Sequence, residues 1–135
     1  MRYDTTQNPL YKQWAADIIG VKEFGPSATI AFFSDDLELQ AVVVYNRLSD
    51  KNCELNLATV SPKCFIKITL KIAFSIPFQQ YNLNRITTMV RSDNKKAVKL
   101  NERLGMKRIG ELEQYYADGQ TAYLYGMLKN ECRWI

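Results

Sequence analysis

The absence of histidine limits the residues in this chain that could transfer a proton. Neither a Ser-His-Asp nor a Cys-His arrangement can be built, and the commonest transition-metal ligand is missing. Proton transfer must therefore use Glu, Asp, Tyr, Cys, Lys, the backbone or water. The candidate side chains in or next to the predicted strands are Glu54 and a group of tyrosines, Tyr115, Tyr116, Tyr123 and Tyr125.

A second chemical feature is a run of lysines at a predicted helix start. Lys63, Lys67 and Lys71 recur every four residues. The first turn of a helix has N–H groups without partners, and these bind anions. We therefore expect a phosphate-bearing ligand near residues 61–67, although the same stripe would also suit a solvated helix face.

The cysteines and the charge restrict the class of protein. Cys53, Cys64 and Cys132 form no CxxC pair, and their odd number argues against a disulfide framework or a zinc site. The net charge of +4 and the pI near 9.0 favour anionic partners, which include both polyphosphate cofactors and nucleic acids. The first residues lack a signal-peptide pattern and no segment is apolar enough for a membrane span, so we expect a soluble cytoplasmic protein.

Hydrophobic periodicity predicts three helices and six strands in one domain over residues 1–135. The helices cover residues 9–19, 63–81 and about 93–105, and Pro77 is expected to kink the second or fix its last turn. The strands cover residues 28–33, 38–45, 54–60, 85–91, 107–115 and 121–128. The apolar stripes expected to face inward are Leu10, Trp14 and Ile18, then Phe65, Ile68, Ile72 and Ile76, then Ala97, Leu100 and Leu104.

The order of these elements predicts an α+β fold with a mixed, mostly antiparallel sheet of six to seven strands and flanking helices. The strand-helix-strand passage over residues 54–91 requires a right-handed crossover, and hence a central parallel pair. Parallel strands that diverge open a crevice at their carboxyl ends, beside the start of the intervening helix.

Several segments resemble the GNAT superfamily of N-acetyltransferases. The stretch ITTMVRSDNKKAVKLNERLGMKRIGEL resembles the superfamily's strand, Asn-capped helix, Leu-Gly turn and following strand. The ending DGQTAYLYGMLKNECRW resembles protein-acetylating and phage-encoded branches, and TIAFFSDDLELQAVVVYN resembles the superfamily's paired strands. The resemblance covers about residues 28–134.

The resemblance implies binding of acetyl-CoA and direct acetyl transfer to an amine of a protein or small molecule. The pantetheine arm would lie in a V-shaped opening between the superfamily's fourth and fifth strands, with the pyrophosphate on the central helix. Glu54 would be the base, and Tyr115 would line the acceptor side or act as acid. The implied cofactor contacts are Val60, Phe65, Ile66, Lys67, Ile68, Thr69, Asn94, Ala97 and Asn101. For Asn94 a capping role is the alternative, and the resemblance favours the cofactor contact.

Two departures from the superfamily pattern concern the implied site. The usual glycine-rich pyrophosphate loop is replaced by Ser-Pro-Lys-Cys-Phe-Ile-Lys at residues 61–67. Asn101 stands where many members have the tyrosine that protonates the leaving thiolate, and an amide is not a general acid at neutral pH.

Two other functions compete with acetyl transfer. The departures favour a catalytically weakened member that binds CoA or a partner protein. Nucleic-acid binding is supported by charge alone, since no helix-turn-helix, RRM or zinc-finger spacing is present. The apolar end, Trp134 and Ile135, suits packing on the domain or on a second copy in a homodimer.

Overall fold

The computed structural model describes every residue from Met1 to Ile135. Three α-helices flank one sheet: α1 (Pro9–Ile19), α2 (Lys67–Ser75) and α3 (Lys95–Leu104). The strands are β1 (Arg2–Asp4), β2 (Ser27–Phe33), β3 (Leu39–Asn46), β4 (Asn52–Thr59), β5 (Arg85–Arg91), β6 (Lys107–Leu112) and β7 (Ala122–Leu128). Across the sheet they lie in the order β1-β2-β3-β4-β5-β7-β6.

Every neighbouring pair of strands is antiparallel except β4 and β5. This parallel pair lies at the centre and is joined by the crossover that contains α2. The mixed sheet and the central parallel pair expected from the sequence are therefore confirmed.

The sheet is covered on both faces. On one face, Tyr11 and Ala15 of α1 pack against Ala31, Val42 and Ala58. The other face carries the larger core, in which residues of α2 and the end of α3 cover alternate residues of the strands, among them Ile30, Val43, Leu55, Ile86, Val90 and Tyr125. Because β3 is buried on both sides, its central run is continuously apolar instead of alternating.

Capping residues explain where α1 and α3 begin and where α3 ends. Asn8 caps α1 by accepting from the Leu10 N–H, and Asn94 caps α3 by accepting from the Ala97 N–H. Gly105 ends α3 at a φ of 96°, a left-handed conformation that favours glycine.

The predicted inner faces of the first two helices are confirmed only in part, since Trp14, Phe65, Ile72 and Ile76 pack in or against the cores but the other members of the two stripes are exposed. Leu10 and Ile18 are exposed, while Tyr11, Ala15 and Ala16 face the sheet. Small alanines allow the helix backbone to approach the sheet closely, so they occupy the contact although the larger side chains dominate the hydrophobic pattern.

The second helix begins later than its periodicity indicated. Residues Pro62–Cys64 form a 3-10 turn, and Phe65 has a non-helical ψ of 75° that separates this turn from α2. Lys63 therefore does not share a helix face with Lys67, and Ile68 is exposed instead of facing inward. After α2, Ile76–Gln80 form a π-helical turn around Pro77, which lacks the N–H needed for the α-helical pattern.

Two further differences concern the edges of the sheet. The short polar β1 has no apolar alternation and was not predicted. β6 ends at Leu112, so Tyr115 lies in the loop that joins β6 to β7. Trp134 and Ile135 pack on the main core of their own domain, and the Trp134 indole donates to the Leu104 carbonyl at 2.8 Å.

Candidate functional site

The central parallel pair of strands separates soon after it begins. β4 and β5 are paired only at Asn52 with Arg85, Cys53 with Ile86, and Glu54 with Thr87. β4 continues to Thr59 and β5 to Arg91, each still paired with its outer neighbour β3 or β7. We call the gap between residues 55–59 of β4 and 88–91 of β5 the fork.

The hydrogen-bond pattern shows which backbone groups of β4 face the fork. The Val60 N–H donates to the Gln40 carbonyl, and Ala41 lies opposite Thr59. In an antiparallel ladder the bonded pairs alternate, so even-numbered β4 residues bond to β3 and odd-numbered ones turn their N–H and C=O groups the other way. The backbone of Leu57 therefore points into the fork.

The same reasoning applies to β5. The Ser92 N–H donates to the Thr121 carbonyl, and the Lys129 N–H to the Asn84 carbonyl. Even-numbered β5 residues therefore bond to β7, and the backbone of Met89 points into the fork. Both sides of the fork thus offer strand-edge groups to an extended, amide-containing ligand.

The first turn of α2 offers free amides at the open end of the fork. The Phe65 N–H donates to the Pro62 carbonyl and the Ile66 N–H to the Thr69 hydroxyl, so these two amides are already engaged. The first intrahelical bond runs from Leu70 to Ile66. The amides that remain for an anion are those of Lys67, Ile68 and Thr69, a narrower set than residues 65–69.

Side-chain hydrogen bonds shape the glycine-free turn before α2. The Thr59 hydroxyl accepts from the Ser61 N–H at 3.0 Å, and the Thr69 hydroxyl donates to the Cys64 carbonyl at 2.6 Å. Cys64 and Phe65 are buried beneath the turn. Burial raises the pKa of the Cys64 thiol, which disfavours a nucleophilic thiolate.

The exposed side chains around this turn are apolar and basic. Val60, Ile66 and Ile68 are exposed, as are Lys63 and Lys67. These residues form a rim around the free amides that combines apolar surface with positive charge.

Glu54 lies where the two strands part. It belongs to the last β4–β5 pair, and its even position directs its side chain to the α1 face of the sheet, as for Ala58. The carboxylate is 19% exposed and lies 3.5 Å from the Arg47 guanidinium. A carboxylate in this position is accessible to a molecule that approaches the fork from the α1 face.

Asn101 lies on the opposite face of the sheet from Glu54, on the buried side of α3. It is 4% exposed, and its side-chain N–H donates to the Ala97 carbonyl at 2.8 Å. Its side-chain oxygen is the one buried side-chain polar atom without a hydrogen-bond partner. Such an unsatisfied acceptor typically costs about 1–3 kcal/mol, so it needs an explanation.

The other α3 residues implied by the resemblance lie at the start of the helix. The side-chain oxygen of Asn94 caps the helix, because it accepts from the Ala97 N–H at 3.1 Å. Ala97 is partly buried one turn before Asn101. Capping therefore engages both the Asn94 side-chain oxygen and the Ala97 N–H.

An ionic cluster fixes the β6–β7 loop at the carboxyl end of β5. Arg91 contacts Asp93 at 3.1 Å and Asp118 at 2.6 Å, and its guanidinium lies 4.8 Å from the ring centre of Tyr116. Arg91 lowers the pKa of both carboxyl groups through these hydrogen bonds. Tyr115 packs edge-on against Tyr116 and remains 45% exposed at this end of the sheet.

The structure thus distributes the expected site residues over four places. Glu54 lies at the fork, residues 66–69 at the α2 start, Tyr115 in the β6–β7 loop, and Asn94, Ala97 and Asn101 on α3. Sequence reasoning did not single out Thr88 or Arg91. The Asp-rich surroundings of Arg91 gave a signal for an ion-pair cluster, but nothing marked Thr88.

Two hollows lie at the other end of the sheet. They have volumes of about 160 and 220 Å³ and share Ala28, Tyr45 and Tyr81 in their linings. Neither is lined by a residue of the fork. No helix has both the length and the apolar character that a membrane crossing requires.

No protein-family model matches the chain. The N-alpha-acetyltransferase of Sulfurisphaera tokodaii is 43% identical over 44 residues, which are 33% of this chain and 26% of that protein. The matching region therefore spans about a quarter of the relative's length.

Solved acetyltransferases share the architecture. A mutant of the spermidine N-acetyltransferase of Vibrio cholerae superimposes with a TM-score of 0.70 at 19% identity, over 90% of this chain and 73% of the other. The ribosomal-protein-S5-alanine acetyltransferase of Vibrio fischeri gives a TM-score of 0.68 at 14% identity, over 79% of this chain and 64% of the other. With the strand order and the fork, these similarities establish that this chain has the fold of the GNAT acetyltransferases.

Proposed function

We propose that this chain is an N-acetyltransferase that uses acetyl-CoA to acetylate an amine. The observation that carries the proposal is the fork, where two parallel strands separate after three residue pairs beside the free amides of a helix. A thioester carried on an amide-rich arm, with phosphates at its other end, matches this arrangement in both shape and polarity.

The residues present fit acetyl-CoA. The backbone groups of Leu57 and Met89 would pair with the amides of the arm, and the amides of Lys67 to Thr69 would bind the pyrophosphate. The Lys67 charge would strengthen phosphate binding, while Val60 and Ile66 would contact apolar parts of the nucleotide. When bound, acetyl-CoA supplies the activated acetyl group.

Glu54 is the proposed base. Its carboxylate lies at the start of the fork and is accessible from the α1 face, so it would take the proton of an incoming amine directly or through water. The largely exposed Arg47 guanidinium forms an ion pair with this carboxylate on its solvent side. The proton that the sulfur needs would come from water, because the Asn101 amide is not an acid and the Tyr125 hydroxyl is bound to Glu102 at 3.1 Å.

We further propose that the acceptor is the α-amine of a protein or peptide. The carboxylates around the fork are already paired, Glu54 with Arg47, and Asp93 and Asp118 with Arg91. They leave no unpaired carboxylate for the several positive charges of a polyamine, whereas a peptide N-terminus carries one charge. The N-alpha-acetyltransferase similarity and the exposed Tyr115 beside the fork end support the same choice. A cytoplasmic location, where the three thiols stay reduced, belongs to this proposal.

Three acceptors distinguish the possibilities. The protein would be incubated with labelled acetyl-CoA and a peptide with a free α-amine, the same peptide with a blocked N-terminus and an internal lysine, or spermidine. Mass spectrometry should show acetylation of the first peptide and little of the other two. Preferred acetylation of spermidine would overturn the acceptor assignment, and no acetylation of any amine would overturn the enzymatic proposal.

Binding without transfer is the second candidate function. Asn101 favours it, because the position offers no proton to a leaving thiolate. In that case CoA raises the melting temperature, as any ligand selective for the folded state does, but no acetylated product accumulates.

A further inference from the structure

Basic residues are concentrated in one part of the chain. Residues 60–109 contain eleven of the 18 Lys and Arg residues but only two of the 14 acidic residues, Asp93 and Glu102. Both α2 and α3 lie in this segment, and they pack on the same face of the sheet, opposite α1. The outer side of these two helices is therefore strongly basic, although the net charge of the whole chain is only +4.

The cations on this outer side have no carboxylate partner. Six of them are exposed and form no ion pair, namely Lys67, Lys71, Lys95, Lys96, Lys99 and Arg103. Both acidic residues of the segment are engaged elsewhere, since Asp93 contacts Arg91 at 3.1 Å and Glu102 contacts Arg108 at 3.6 Å. We call the six cations the basic face, and their charges are uncompensated within the chain.

The basic face consists of two rows. Lys67 and Lys71 are one turn apart on α2, and Lys95, Lys99 and Arg103 follow one another at one-turn intervals on α3. Successive members of a row are therefore about 6 Å apart along the helix axis, and the row on α3 is about 12 Å long. Each helix runs back from the end of one of the parallel strands β4 and β5, so the rows run side by side in the same direction.

The phosphates of acetyl-CoA would account for one end of this face only. Lys67 and Lys95 lie in the first turns of their helices, beside the open end of the fork. Lys99 and Arg103 lie one and two turns further along α3, away from the free amides of α2. An anion that engages the whole basic face must therefore be longer than one nucleotide.

We propose that the basic face binds the phosphate backbone of a double-helical nucleic acid without reading its sequence. Regular rows of uncompensated cations suit a polymer whose negative charges are regularly spaced. This surface lies on the opposite side of the sheet from Glu54, so it is separate from the proposed entry of the amine and does not depend on acetyl transfer.

Other anionic partners match the basic face less well. Protein interfaces and membrane surfaces need apolar or aromatic anchors, and α3 has no large exposed apolar side chain. Single strands are bound largely by stacking of their bases on aromatic side chains. The exposed aromatic residues, Tyr3 and Tyr115, lie outside α2 and α3.

Fluorescence anisotropy with a short labelled RNA duplex, and with a DNA duplex of the same sequence, tests the inference. The wild-type protein should bind at low salt, and its affinity should fall steeply as the salt concentration rises. The double variant Lys99→Gln with Arg103→Gln should bind about tenfold more weakly. It should also reduce the slope of log K against log salt concentration by about 1.8, the effect of two lost phosphate contacts.

A second double variant controls for net charge. Lys22→Gln with Lys51→Gln removes two exposed cations that lie outside the basic face, and it should leave the affinity for the duplexes nearly unchanged. Neither double variant should change the affinity for CoA. Equal losses of duplex binding in the two variants would overturn the inference, and so would absence of binding to both duplexes at low salt. Tighter binding to poly-glutamate or to vesicles of anionic lipid than to the duplexes would also overturn it, while acetyl transfer would stand in each case.

Discussion

Glu54 of β4 and Thr87 of β5 form the last residue pair between the two parallel strands. One residue beyond this pair, the backbones of both strands have no neighbour on their inner sides. Glu54 directs its carboxylate to one face of the sheet, and Thr88 directs its hydroxyl to the other. A ligand in the fork therefore meets a different chemical group on each face.

Replacing the Glu54 carboxylate tests its role as a base. Glu54→Gln keeps the size of the side chain but removes its basicity, so kcat should fall about 100-fold or more while the CoA affinity stays the same. Steady-state kinetics and calorimetry measure both quantities. Glu113→Gln, in the exposed β6–β7 loop, is the matched control. A Glu54→Gln enzyme with nearly full kcat would exclude Glu54 as the base.

A negative charge at the start of α2 should raise the stability of the helix and weaken the binding of CoA. Ile68 is exposed in the first turn, so Ile68→Glu would place a carboxylate beside the free amides. This change should stabilise the helix by about 0.3–1 kcal/mol and weaken CoA binding at least about tenfold, because the carboxylate competes with phosphate.

Lys71→Glu, one turn further along the same helix, replaces a positive charge by a negative one without approaching the amides. It should affect CoA binding much less than Ile68→Glu. Equal losses of affinity in the two variants would show that only general electrostatic attraction operates, and that the amides of α2 do not bind phosphate.

Acid should loosen the β6–β7 loop. Arg91 lowers the folded-state pKa of Asp93 and Asp118, so their contribution is present above the unfolded value of about 3.9 and is lost as the pH falls through the folded pKa. The ring signals of Tyr116 should therefore change in nuclear magnetic resonance spectra as the pH falls below about 3.9. Asp118→Asn should show an already altered Tyr116 environment at neutral pH. A Tyr116 spectrum that is the same in both proteins would contradict the role of Arg91 and Asp118.

The sequence allowed the architecture to be predicted because strong local signals agreed with it. The Gly105 stop and the Thr/Ile/Val pattern of β5 were sufficient to place α3 and its neighbouring strand. The crossover between β4 and β5 then required the parallel pair. The separation of the two strands after Glu54 was expected from the family resemblance, not from any residue pattern.

Other features depend on tertiary contacts that local patterns do not show. The burial of Ala15 and Ala16 instead of Leu10 is decided by how closely α1 approaches the sheet. The free amides at Lys67 to Thr69 depend on the side-chain bonds of Thr59 and Thr69, which replace the expected glycines. The unsatisfied oxygen of Asn101 becomes visible only when α3 is packed against β5.

Amide chemical shifts measured during an acetyl-CoA titration test the central claim most directly. Ligand binding in the fork predicts that the largest changes occur at Leu57, Met89 and the first turn of α2, residues 67–69. Changes confined to the hollows around Ala28 and Tyr81 would contradict the fork as the binding site, and so would an unchanged spectrum at millimolar acetyl-CoA.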